Sequence, residues 1–271
     1  MHRSSLISLA ALLLISWPAV AGSTNERPEY WVKQLRSKSA AERSAAAERL
    51  GRLGPKARTA VPRLISALRD LDLGVRCSAA VALGQIGPDA QLAVDEMVRV
   101  MENDDLLLRA HVVKALGEIG PDAAVAVPML IELVRQKPDR DADPLERLVR
   151  YDAARALGQI GPNARAAVPV LVDASQDESP NLRGHAVTSL GQINADSDAV
   201  LRALVEALRD PAPFIRAEAA TALGQIGLRD YSVSRSLERA LDDPNDQVRK
   251  AAEFALSKRS AAANSTRSRN H

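Results

Sequence analysis

Few residues of this chain have types and spacings that could do chemistry. His111 and His185 are the internal histidines and Cys77 is the single thiol; imidazole and thiolate are much-used metal ligands and nucleophiles. No Cys-His metal spacing and no Ser-His-Asp set accompanies them. Asp139, Asp141 and Asp143 alternate as the first ligands of a calcium loop do. Pro144, however, stands where such a loop needs Gly, and Arg150 where it needs a bidentate Glu. A charged, exposed loop able to touch a partner is the expectation there. Leu-Gly-Gln-Ile-Gly, as at Leu83–Gly87, carries its glycines after a helix, whereas a phosphate loop opens one. The expectation is a protein without catalysis, cofactor or metal.

Regularity is the stronger signal. Leu-Gly pairs begin at Leu50, Leu83, Leu116, Leu157, Leu190 and Leu223, and Leu256-Ser257 is a degenerate seventh. The spacing is 33 residues except for one interval of 41, an eight-residue insertion near 135–148. A fixed period of this length signals a stack of repeated units. Val75, Ala79, Ala82, Leu83 and Ile86 form one helical stripe. Gly87-Pro88 ends that helix, as Gly54-Pro55, Gly120-Pro121 and Gly161-Pro162 end others: glycine accepts positive φ and proline cannot continue the helix. Ala60-Val61-Pro62, Ala126-Val127-Pro128 and Ala167-Val168-Pro169 bend the other helix of the unit or set its first turn; Asp95 in that place predicts a straighter helix in the third unit. Ala79, Ala153, Ala186, Ala219 and Ala252, four residues before the marker Leu, let helices approach closely. Each unit is too thin to bury its stripe alone, so stability comes from nearest neighbours, with Tyr30 and Trp31 expected to cover one end.

One charged position never varies. Arg43, Arg76, Arg109, Arg150, Arg183, Arg216 and Arg249 lie seven residues before each marker Leu; Asp70, Asp177, Asp210 and Asp243 lie thirteen before it, with Asn103 as a near substitute. Such a row could bind anions or form a structural ladder, and the acidic partner recurring with the same period favours the ladder.

The recurring Ala60-Val61-Pro62, Asp70, Val75-Arg76, Ala79-Ala80 and Ala82–Pro88 resembles the HEAT-repeat family, and most of all its bacterial HEAT-like branch that includes phycobilisome lyase subunits, over residues 28–257. The resemblance implies an all-α fold, a right-handed α-solenoid of about seven helix pairs whose second helices line the concave surface. It also implies a choice between scaffold and enzyme, because tetrapyrrole lyases and iron-dependent deoxyhypusine hydroxylases share the architecture. The hydroxylases bind metal through repeated His-Glu pairs, and no His here is followed by Glu. His111 and His185 lie two units apart, ~20 Å at usual helix spacings, too far to share one metal.

Positions five and two before the marker Leu and two after it are mostly polar and fall on one helix face, opposite the core stripe. In successive central units that face reads His111, Lys114, Glu118; Asp152, Arg155, Gln159; His185, Thr188, Gln192; and Glu218, Thr221, Gln225, with Tyr151 and Phe214 at its edge. Stacked in a solenoid, it becomes a groove for a protein or peptide partner.

Composition bounds the rest. Aromatic residues are only 3%, which disfavours sugar or single-stranded nucleic-acid grooves. Formal charge is +2, but Arg3, Lys258, Arg259, Arg267 and Arg269 lie at the ends; without those five, 31 basic residues face 34 acidic ones, a net of −3. No footprint for a phosphate backbone remains, and no nucleic-acid partner is expected. Residues 1–21 read as a secretory leader cut after Ala21, since about a dozen apolar residues before Pro18 are too few to span a bilayer. The expectation is a periplasmic or secreted chain with no membrane span after cleavage, a short linker at 22–27, the solenoid at 28–257 and a basic, disordered tail at 258–271. Two functions follow: an exported scaffold or adaptor, or an accessory subunit of a tetrapyrrole- or metal-handling enzyme. The lyases work in the cytoplasm, against the leader.

Overall fold

A computed structural model describes residues 27–268 apart from 103–104, 139–142 and 228–230, with backbone alone at 231 and 259–268. The leader and the linker to residue 26 lie outside the described residues, as do Asn103, Asp139 and Asp141.

Among the described residues the chain is all α, and its helices follow as seven pairs: α1 (Pro28–Gln34) with α2 (Ala40–Arg52), α3 (Val61–Ala67) with α4 (Leu73–Ile86), α5 (Val94–Met101) with α6 (Leu106–Ile119), α7 (Val127–Arg135) with α8 (Pro144–Ile160), α9 (Val168–Ala174) with α10 (Pro180–Ile193), α11 (Asp198–Ala207) with α12 (Pro213–Ile226), and α13 (Tyr231–Ala240) with α14 (Asp246–Ser268). This is an α-solenoid. Every marker leucine from Leu50 to Leu223 is fully buried, inside one aliphatic core that runs the length of the stack.

The Gly-Pro signals act as read. Gly87, Gly120 and Gly161 end their helices at φ of 75°, 79° and 71°, with ψ near −140°, a region closed to residues with a Cβ. After each Gly-Pro comes a 3-10 turn rather than a plain loop, at Gly54–Ala60, Gly87–Ala93, Gly120–Ala126 and Gly161–Ala167, and the first α-helix starts at the following Val. Proline then occupies the first turn of α3, α7 and α9, where its missing N–H costs nothing. With Asp95 in place of proline, α5 still starts at Val94 after the same 3-10 turn. The Gly-Pro signal before it, not the proline after it, makes the break. Where that signal is missing, before α11, no 3-10 turn precedes the first helix.

Consecutive second helices pack closely. A Cβ added at Gly84 would stand 2.8 Å from the Cα of Ala115, at Gly158 2.8 Å from that of Ser189, and at Gly224 2.9 Å from that of Ala255. First helices touch their counterparts more sparsely. The second helices thus form one continuous, closely packed layer and the shorter first helices the other.

The Arg ladder ties the other edge of the stack. Arg43 pairs with Asp70 at 2.7 Å, Arg150 with Asp177 at 2.9 Å, Arg183 with Asp210 at 2.7 Å and Arg216 with Asp243 at 2.8 Å. Each arginine thus grips the aspartate of the following unit. Most also donate to the turn before their own helix, as Arg183 does to the Asp177 and Glu178 carbonyls, and most of the aspartates accept the backbone N–H two residues on, as Asp210 does from Ala212. Arg76 instead reaches Asp105, at 3.6 Å.

The ends carry polar residues where inner units pack. Glu253 and Ser257 of α14 are exposed at the positions held by buried Ala220 and Gly224 in α12. At the other end Trp31 packs on the core, with the Arg49 guanidinium 5.9 Å above its ring, while Tyr30 stays 45% exposed. The tail expected to be disordered is helical over 258–268 as part of α14; Ala261-Ala262-Ala263 favours helix, and neither Gly nor Pro interrupts it.

Candidate partner-binding face

The polar face builds up from the helix period. On α6, α8, α10 and α12 the offsets −5, −2 and +2 from the buried leucine fall within one narrow arc, so burying Leu116, Leu157, Leu190 and Leu223 turns those positions to the opposite, outer face of the second-helix layer. All fourteen residues singled out are half-buried or exposed. Exposed are Lys114, Gln192, Gln225 and Phe214; half-buried are His111, Glu118, Tyr151, Asp152, Arg155, Gln159, His185, Thr188, Glu218 and Thr221.

Several interlock across units. The Thr188 hydroxyl shares its one proton between the Gly184 carbonyl of its own helix at 3.0 Å and a Glu218 carboxylate oxygen at 3.1 Å, the latter linking α10 to α12. Ser179, at the start of α10, donates to the Tyr151 hydroxyl of α8 at 2.8 Å. Within α8, Arg155 donates to Asp152 at 2.9 Å and to Gln159 at 3.5 Å; within α6, Lys114 lies 4.0 Å from Glu118. The side chains at +2 pack back on the previous unit, so that a Cβ at Gly117 would meet the Gln159 oxygen, and one at Gly158 the Gln192 oxygen. His185 is held below the ordinary histidine range by burial first and by Arg155 next, partly offset by Asp152 and Glu218. Burial and Lys114 do the same to His111. Both are partly buried, and both favour the neutral imidazole at pH 7.

The face extends beyond the residues singled out. Leu107 and Leu148, exposed by 44% and 47%, lie nine residues before their marker leucines, the same offset as Phe214. That constant offset was legible in the sequence and adds an apolar side chain near the start of α6, α8 and α12, while α10 carries Asn181 there.

No cluster of three or more potential metal ligands occurs among the described residues. Asp143, the described member of the alternating aspartates, caps α8 by accepting from the Leu145 N–H at 2.8 Å. Cys77 is buried, and burial pushes its thiol up to about 11.

The sequence pattern of HEAT repeats matches residues 28–94, 143–201 and 168–257, more than half of the chain. This chain belongs to the HEAT-repeat family. Solved structures share the fold of this HEAT-repeat protein. A chain in the complex of CpcE and CpcF of phycocyanin lyase from Nostoc sp. PCC7120 is similar at a TM-score of 0.58 and 24% identity, over 90% of this chain and 98% of that one. An engineered protein is similar at a TM-score of 0.60 and 24% identity, over 86% of this chain and 68% of that one. No curated protein matches in sequence. Among the described residues of this HEAT-repeat protein no helix is long and apolar enough to cross a membrane.

Proposed function

We propose that this HEAT-repeat protein is a non-catalytic scaffold or adaptor that works outside the cytoplasm and holds a protein or peptide partner along its concave face. The observation that carries the reading is the continuity of that face: four neighbouring helices present exposed and half-buried polar residues in register, joined across units by the Thr188–Glu218 and Ser179–Tyr151 hydrogen bonds. A surface held in register is preorganised for a ligand that spans several units. The leader pattern at 1–21 supports export.

Arg155→Glu reverses a charge at the centre of the face. Its side chain is 30% exposed and pairs within its own helix, so the melting temperature should stay within about 2 °C. Photocrosslinking from Thr188 should capture a partner, and Arg155→Glu should weaken that capture. A folded Arg155→Glu variant with undiminished capture refutes the groove.

A second reading, an accessory subunit of a tetrapyrrole- or metal-handling enzyme, draws on the fold likeness to the CpcE–CpcF complex. Thermal stabilisation by a bilin or an iron salt, with no protein partner present, would favour it.

A further inference from the structure

Phe214 and Glu218 stand one turn apart on α12, so their side chains share a face at roughly 6 Å. Phe214 is 48% exposed. Its inner edge rests on α10 where Gly184 offers no side chain, and a Cβ there would stand 2.7 Å from the ring. The ring is thus seated against backbone while its other side meets water. Tyr151 flanks α10 from the opposite side, its hydroxyl fixed by Ser179 at 2.8 Å.

Charge on this part of the face is unbalanced. Asp152 is matched by Arg155 and Glu118 by Lys114. Glu218 accepts a hydrogen bond from Thr188, and among the described residues it makes no ion pair with Lys or Arg. Its neighbour His185 is neutral at pH 7, leaving one uncompensated, half-buried carboxylate beside an exposed ring. A carboxylate has acceptor positions to spare after one hydroxyl donor. A ring and a carboxylate about 6 Å apart suit a guanidinium, which stacks on the one and forks onto the other.

We propose that the α10–α12 part of the concave face binds a basic segment of a partner protein, with an arginine lying across Phe214 and paired with Glu218. The inference rests on the scaffold reading and names the chemistry of its partner. An acidic segment would meet Glu218 with like charge.

The test uses the full chain and two labelled nonapeptides, one alternating Arg with Ala and the other Glu with Ala, followed by fluorescence anisotropy at low and moderate salt. The Arg peptide should bind saturably and weaken as salt rises, while the Glu peptide should not bind. Glu218→Gln and Phe214→Ala should each weaken the Arg peptide about tenfold, whereas Glu132→Gln, an exposed carboxylate on first helix α7, should leave it unchanged. Equal binding by Glu218→Gln, or equal weakening by Glu132→Gln, overturns the inference. Retention of the Glu peptide, lost on Arg155→Glu, overturns it as well while leaving the scaffold reading intact. So does failure of both peptides alongside specific crosslinks from Thr188. If crosslinks from Thr188 do not differ from those of a probe at Glu132, the scaffold reading itself falls.

Discussion

Asp210→Asn tests whether the ladder is structural. Asp210 receives both the Nε and an Nη of Arg183, at 2.7 and 3.1 Å, and the side chains of the pair are only 8% and 15% exposed. Asparagine keeps one oxygen, enough for the Ala212 N–H that Asp210 accepts at 2.8 Å. It presents N–H donors to a guanidinium that can only donate. The variant therefore loses one charge-assisted bond and leaves a nearly buried cation short of its counter-charge. Removing one partner of a buried pair costs about 3–5 kcal/mol; residual exposure and the two carbonyls that Arg183 also binds bring the expected loss to about 2–3 kcal/mol. That is a large part of the stability of a domain this size, usually about 5–15 kcal/mol. Equilibrium urea unfolding measures it, and Glu48→Gln is the control. Glu48 and Arg52 lie 3.6 Å apart with side chains more than half exposed, so the control should lose under about 0.5 kcal/mol. Because units couple only to neighbours, hydrogen exchange should quicken in α11–α14 more than in α2–α6. A folded Asp210→Asn variant that loses no more than the control refutes the ladder as a source of stability.

Three further outcomes are expected. Gly158→Ala should cost about 1–3 kcal/mol, because its Cβ would meet the Ser189 backbone at 2.8 Å and force α8 from α10; an unchanged melting temperature would count against the close packing. Cys77 should resist thiol reagents at pH 8 in the folded protein and react once unfolded; rapid labelling of the native state would contradict its burial. Melting temperature should decline on acidification from about pH 6.5, since His111 and His185 have folded pKa values below their ordinary 6.5 and the unfolded chain takes up the protons first. His185→Gln should flatten that decline. Asp70 and Asp243, held low first of all by Arg43 and Arg216, add a separate loss only below about pH 4.

Seven pairs, the buried leucines and the close second helices were legible because each unit restates the same requirement: Leu50 through Leu223 must all bury one stripe. The Arg–Asp ladder could be read as a pairing, but not its direction, because two constant offsets do not say which unit supplies the acid. Features that occur once gave no such signal. Glu96, 6% exposed, holds both Arg69 and Arg99 and ties α5 to the end of α3; one glutamate among many predicted nothing. The 3-10 turns escaped because Gly-Pro marks where a helix must stop, while the next seven residues are set by packing. On the candidate face, the polar offsets were visible, but the seat that Gly184 makes for Phe214 depends on neighbouring helices meeting at that level.

The Gly-to-Ala contacts between second helices also set a pitch. At roughly 9 Å per step, the distance from α6 to α12 is about 27 Å, which an extended strand of about eight residues covers at ~3.3 Å each. For the partner proposed here the face is a ruler: a ligand too short to reach from His111 to Glu218 is expected to forfeit whole rungs of contact, with affinity climbing in increments as its length grows.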